Sequence, residues 1–365
     1  MSRMLLGVLL SLSCCVIADP VRVQMPSSNL SVSRIAFGSC AFQSVEQPIF
    51  RAVVNAQPDL YISLGDAIYG DYDVVTKSAY DVTPQTLRRE WQVLADNPDW
   101  RYLVERVPVM AIWDNHDYGH HSAGAEFSLK SESENIFLDF FSEPAASARR
   151  KRPGVYDSQI FGSEGRRVQI ILLDTRSFKS APVLAPRPKG AGGSLGKYAP
   201  NKDSTATLLG EDQWRWLEQQ LSNQADVRLV ASSGQVVADE KGMDEWGNYP
   251  LERERLLNLI AATTSGRSIL ISGNVHFTEV SAVDVASTRL IDFTSSGLTH
   301  VNRAYPKAPN RYRVAGPYID MSFGLVEISW TPDPEIRLKA IGVNGGVHFE
   351  YRVPNGTPVS PLISH

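Results

Sequence analysis

Arg34-Ile35-Ala36-Phe37-Gly38-Ser39-Cys40 is the stretch on which the fold turns: an apolar, strand-like run that breaks at Gly38-Ser39 and delivers a cysteine. A thiol at the point where a strand runs out into a loop is well placed to bind a metal. The same construction recurs along the chain. Leu60-Tyr61-Ile62-Ser63-Leu64 ends in Gly65-Asp66, with Tyr69 three residues on, and later runs end in Trp113-Asp114-Asn115-His116-Asp117 and in Gly273-Asn274-Val275-His276. Packing alone does not call for ligand-type side chains at four strand ends.

Outward from these segments, strand-like runs alternate with helical patterns, as in α/β layer proteins. Val168-Gln169-Ile170-Ile171-Leu172-Leu173, Val227-Arg228-Leu229-Val230-Ala231 and Ser268-Ile269-Leu270-Ile271 read as buried strands. Trp214, Leu217 and Leu221 fall on one helix face, as do Leu256, Leu257 and Ile260. After about Pro317 the runs Phe323 to Trp330, Glu335 to Ile341 and Val347 to Val353 predict an antiparallel meander, with turns at Pro332-Asp333-Pro334 and Asn344-Gly345-Gly346. Ala181 to Thr207, rich in Pro, Gly, Lys and Ser, reads as a long functional loop. With no internal repeat and no linker, residues 19–365 read as a single domain.

Residues 1–18 read as a cleaved secretory signal. Met1 to Met4 hold one positive charge, Leu5 to Ile17 are almost wholly apolar, and Val16-Ile17-Ala18 suits signal peptidase, leaving Asp19 first in the mature chain. A membrane anchor is the bland alternative, but the stretch falls short of the roughly 20 residues that span a bilayer. Lipid attachment at Cys14 or Cys15 lacks a small-residue pattern before it. The expectation is a soluble protein, extracellular or periplasmic, without a transmembrane segment. One cysteine then remains in an oxidising compartment, so Cys40 is buried, paired outside the chain, or bound to something. Asn29-Leu30-Ser31 and Asn355-Gly356-Thr357 are glycosylation sequons, short enough to arise by chance.

The composition is globular, 43% hydrophobic and 21% charged, and the formal charge of -4 gives no reason to expect stable nucleic-acid binding. Arg149-Arg150-Lys151-Arg152 reads as a solvated loop.

Asp66, Asn115, Asn274 and His276 offer oxygen and nitrogen donors, while Cys40 and Tyr69 offer a thiolate and a phenolate. Soft sulfur beside hard oxygen points to two unlike ions: ferric iron, and a divalent ion such as calcium, magnesium, manganese or zinc. Asp66 is the natural bridge. Two cations roughly 3.5–4 Å apart deprotonate a water and clamp a phosphoryl group. His116, one residue beyond a proposed ligand, is left free to protonate the leaving oxygen. Taken alone, Tyr69 would be a half-buried core aromatic. Asp114 and Asp117 read as braces of the loop. His300 reads as a loop residue near the site, and Gln235 as either a metal contact or an amide satisfying backbone. Trp91, Trp100, Trp214 and Trp216 read as core or helix-face aromatics.

The segments Phe37-Gly38-Ser39-Cys40, Leu64-Gly65-Asp66-Ala67-Ile68-Tyr69-Gly70, Trp113-Asp114-Asn115-His116-Asp117-Tyr118-Gly119, Leu173-Asp174-Thr175-Arg176 and Gly273-Asn274-Val275-His276, in that order, resemble the alkaline phosphatase D (PhoD-like) family of the calcineurin-like metallophosphoesterases. The resemblance runs from about Ile35 to Trp330. It implies a four-layer αββα sandwich of two mixed β-sheets flanked by helices, with C-terminal antiparallel strands. It also implies a phosphoesterase acting on phosphodiesters, phosphomonoesters or both, by attack of a metal-activated water. Carried over, Cys40, Asp66 and Tyr69 hold iron with help from the 273–276 loop, Asp66 bridges, and Asn115 and Asn274 serve the second metal. His116 becomes the proton donor and Arg176 a phosphate contact.

Asn274 departs from the family, whose last loop reads Gly-Asp-x-His, and Asn115 also replaces an aspartate while matching the Asn-His pair of the wider superfamily. His120-His121 stand where relatives carry Asn-Asp, and fit extra ligands, substrate contacts or surface residues equally. The competing reading is a catalytically impaired metal-binding protein of the same fold. A serine esterase is set aside because no Gly-x-Ser-x-Gly elbow occurs.

Overall fold

The computed structural model describes residues 23–355 except 75, 186–194, 264 and 332. The signal expected at 1–18, with Cys14 and Cys15, lies outside the described residues, as does part of the long loop. Among the described residues no helix is long and apolar enough to cross a membrane.

Two mixed sheets face each other. The first has six strands in the order Val347–Arg352, Glu335–Gly342, Ser322–Ser329, Arg34–Gly38, Leu60–Ser63, Val109–Ala111. Its last three are parallel, with Ile35 opposite Leu60 and Tyr61 opposite Val109, and the C-terminal three form the expected antiparallel meander. The second sheet has seven: Arg313–Tyr318, Thr278–Val285, Thr288–Ser295, Arg267–Ser272, Val227–Ala231, Val168–Leu172, Asp157–Phe161. Its four central strands run parallel.

Period-2 alternation on these strands builds the layers. Ile35, Phe37, Leu60 and Ile62 meet Ile170, Leu172, Leu229, Ile269 and Ile271 between the sheets. Phe37 and Phe293 close the gap edge to face, with ring centroids 5.0 Å apart. Ala36 and Tyr61 face the other way, into a core with helix residues Phe50, Leu87, Trp91 and Phe137. Ile171, Val230 and Leu270 turn outward onto Trp214, Leu217, Leu256 and Ile260. Both faces of the central strands are therefore apolar, and the result is helix, sheet, sheet, helix. Each fully buried Leu, Ile or Phe contributes about 1.5–3 kcal/mol.

The strand Thr278–Val285 is less apparent from the sequence because it carries buried Thr278, Glu279 and Ser281. The basic run at 149–152 is not a solvated loop. Arg149 is 3% exposed and donates to the carbonyls of Val155 and Ala111, both at 2.7 Å, beside Glu143 at 3.3 Å. Satisfying carbonyls at the end of a buried strand is a structural task that charge pattern alone does not reveal. In the long loop, Val183–Leu184 pairs with Tyr198–Ala199.

Candidate active site

The parallel strands of both sheets end at one edge, and four of them release candidate ligands there. Cys40 follows Arg34–Gly38, Asp66 follows Leu60–Ser63, Asn115 follows Val109–Ala111, and Asn274 and His276 follow Arg267–Ser272. Cys40, Asp66, Asn274 and His276 adopt φ of 64°, 50°, 69° and 57°. A non-glycine residue in this region is uncommon and costs about 1–3 kcal/mol, so the surroundings must impose it. Asp117 does much of this: its carboxylate accepts from the N–H groups of Asp66, Ala67, Ile68 and Asp114 at 2.5–3.0 Å. Gly65, at φ +98°, lies so close to the neighbouring loop that a Cβ there would sit 2.4 Å from the Asp114 nitrogen.

One ligand atom each of Cys40, Asp66 and His276 lies within 4.8 Å of the others. Tyr69, 3% exposed, has its hydroxyl 3.1 Å from His300 Nε2 and its ring stacked on His116 at 4.2 Å. Asn115 is 2% exposed, and its amide nitrogen is buried without a partner. Asn274 donates its amide N–H to the Asp244 carbonyl at 2.9 Å, which leaves the amide oxygen as its ligand atom. A cavity of about 270 Å³ is lined by Asp66, Asn115, His116, Asn274 and His276, with His121, Lys197, Met243 and Tyr305 around it.

The electrostatics favour positive charge at this point. Burial, then Asp66, pushes the Cys40 thiol well up, and burial lifts Asp66 to about 7. Burial, then Cys40 and Asp66, raises the Tyr69 phenol. Burial and His116 hold His276 down to about 4, so its imidazole stays neutral with a lone pair to give. A bound cation reverses the penalty on each anion. Thiol, phenol, carboxyl, neutral imidazole and the Asn274 amide oxygen are a donor set that fits metal ions.

His116 is held differently from the donors. Its Nδ1 sits 2.5 Å from Asp71 Oδ1, and its backbone N–H donates to Asp66 Oδ1 at 3.3 Å. Burial pulls its pKa down, but Asp66 and Asp71 outweigh burial and carry it to about 8. Asp71 was absent from the sequence expectation, although it stands five residues after Asp66 on the same turn.

Arg176 is not brought to the cavity wall. It is 2% exposed, pairs with Asp114, and holds Asp244 Oδ2 at 2.6 Å. Lys179 shares Asp244 at 2.7 Å. Burial works against the Asp244 carboxylate, but Arg176 and Lys179 overcome it and keep it well below its usual range. With both carboxylates engaged, the guanidinium braces the loops carrying Asn115 and Asn274. Gln235 is neither a metal contact nor a backbone partner: it bridges Lys241, Glu279 and Thr294 in a buried side-chain network. His300 is stacked on Phe42 at 3.8 Å. His120 is exposed, and His121 is exposed at the cavity.

The sequence pattern of PhoD-like phosphatases matches residues 35–308. Alkaline phosphatase D of Bacillus subtilis (strain 168) is 23% identical over 283 residues, covering 69% of this chain and 47% of that protein, so the chain spans about half the length of this curated relative. A solved structure titled "Structure of PhoD" superimposes with a TM-score of 0.66 at 16% identity, over 91% of this chain and 74% of that one. Purple acid phosphatase PPD1 from yellow lupin (Lupinus luteus) seeds gives a TM-score of 0.56 at 13% identity, over 94% and 58%. Those two likenesses speak for the sandwich fold, and the match across residues 35–308 for the family: the chain belongs to the PhoD-like phosphatases.

Proposed function

We propose that this protein is an exported, metal-dependent phosphoesterase that hydrolyses phosphodiesters, phosphomonoesters or both at a dinuclear centre. The observation that carries the reading is the convergence of Cys40, Asp66 and His276 within 4.8 Å, on a cavity shared with Asn115, His116 and Asn274. Cys40, Asp66, Tyr69 and His276 would hold ferric iron, and Asp66, Asn115 and Asn274 a divalent ion that takes oxygen ligands. When bound, the two ions supply positive charge to the phosphoryl oxygens and a water acidic enough to attack at neutral pH.

The rest of the work falls to this chain. As the bond from phosphorus to the leaving oxygen breaks, His116 gives that oxygen its proton. Asp71 at Nδ1 fixes the tautomer, leaving Nε2 for the substrate. Tyr69, stacked on the imidazole, restrains its tilt. Asp117 holds the Asp66 turn, and Arg176 holds Asp114 and Asp244 in place behind the two asparagines. Export rests on the sequence of residues 1–18.

Hydrolysis of a chromogenic phosphodiester beside its monoester, with Asp66→Asn as control, tests the reading. Turnover by the parent and none by D66N supports it and ranks the two activities. Protein that carries its metals and cleaves neither ester would be a metal-binding protein in which Asn274 has removed activity.

A further inference from the structure

One cation at the cavity is not engaged in holding the fold. Arg176 pairs with Asp114 and Asp244, Lys179 with Asp244, and Lys241 with Glu279. Lys197 is the one Lys or Arg on the cavity wall among the described residues. It is exposed, and among those residues no carboxylate pairs with it; its nitrogen lies 5.5 Å from the ring of Tyr198.

Its position is built by backbone contacts. The Gly196 N–H donates to Lys241 O at 2.8 Å, the Tyr198 N–H to Gly242 O at 3.0 Å, and Lys197 O accepts from Ala185 at 2.8 Å. A Cβ on Gly196 would lie 1.8 Å from Gly242 O, so this approach requires glycine. Beneath it, Lys241 donates to Gln235 at 2.8 Å and Glu279 at 3.1 Å in a fully buried network. An exposed lysine therefore stands on a rigid platform.

The cavity also connects Lys197 with His116. In the reaction proposed above His116 serves the leaving oxygen; the His121 ring lies 6.1 Å from the His116 ring, and both line the cavity with Lys197.

We propose that Lys197 is a specificity residue that reads the leaving group: the departing alcohol carries a second anionic group, which pairs with Lys197 Nζ beyond His116. The inference rests on the phosphoesterase reading above. A matched pair of esters tests it, methyl 4-nitrophenyl phosphate and methyl 3-carboxy-4-nitrophenyl phosphate, which differ by one carboxylate on the leaving phenol.

The expected result is a preference for the carboxylated ester of roughly two- to fivefold in kcat/KM, the range of an exposed ion pair. K197A should erase it by lowering the carboxylated ester alone, and K197R should keep it. No preference in the parent protein, or an equal loss on both esters in K197A, overturns the proposal. If neither ester is cleaved, the diesterase reading fails by itself while a monoesterase stands, and calorimetry with the inert phosphonate counterparts decides the point for Lys197. Tighter binding of the carboxylated phosphonate that depends on Lys197 supports it, and equal or absent binding of the two rejects it.

Discussion

His116 and the candidate metal donors differ in electrostatic character because their neighbours differ. Asp71 faces His116 Nδ1 and favours its protonated ring, whereas His276 meets burial and another imidazole and stays neutral. His116→Ala should leave metal content unchanged and cut turnover by about 10²- to 10⁴-fold, the usual worth of a positioned proton donor. Metal analysis beside kcat checks this, and loss of metal would make the residue a ligand. Asp71→Asn should lower kcat with little change in KM, because it acts through His116 rather than on substrate. If Tyr69 ligates ferric iron, Tyr69→Phe should bleach the visible absorption of the purified protein. An unchanged spectrum would remove Tyr69 from the metal.

At the scale of elements, strand ends are where an α/β sandwich can place loops with unusual backbone, since the paired strands behind them are rigid. Four candidate ligands sit at positive φ, and the adjoining Gly65 has no room for a side chain. Gly65→Ala should therefore lower stability by more than about 1–3 kcal/mol, since strain and a backbone clash act together, and should weaken metal retention in the same protein. Thermal melts with metal analysis read both effects.

The strand Thr278–Val285 offers a pH test. Burial opposes the Glu279 carboxylate, but Lys241 and Arg313 outweigh burial and hold its pKa below the usual glutamate range. Its contribution is in place above the unfolded value near about 4.3 and is lost as pH falls below that toward the folded value. Glu279→Gln should lower Tm at neutral pH and flatten its decline between about pH 5 and pH 3. A decline as steep as the parent's would clear Glu279 of that role.

For the whole molecule, the sheet-to-sheet core and the centre are coupled: the strands that pack through Ile35, Phe37 and Ile62 also end in Cys40 and Asp66. Chelation should therefore lower Tm by several degrees and reloading restore it, as expected when a ligand binds only the folded state and contributes about 3–4 kcal/mol. A Tm indifferent to chelator would mean that the donors do not hold ions in the folded protein.

The sequence by itself determined the α/β class, many of the elements and the candidate donors. The apolar runs Val168–Leu172 and Val227–Ala231 and the helical spacing of Trp214, Leu217 and Leu221 are local patterns, set over a few residues by backbone geometry. The strand-end segments at Cys40, Asp66, Asn115, Asn274 and His276 are local too. Only the tertiary structure decided the partners. It turned Arg176 inward onto Asp114 and Asp244, 62 and 68 residues away in sequence. It gave His116 to Asp71, 45 residues earlier, buried Arg149 under a strand end, and carried Lys197 to the rim. The physical reason is that a charge in a low-dielectric interior must be paired, and the chain alone does not say which of its 40 acidic residues will be near enough to pair with it.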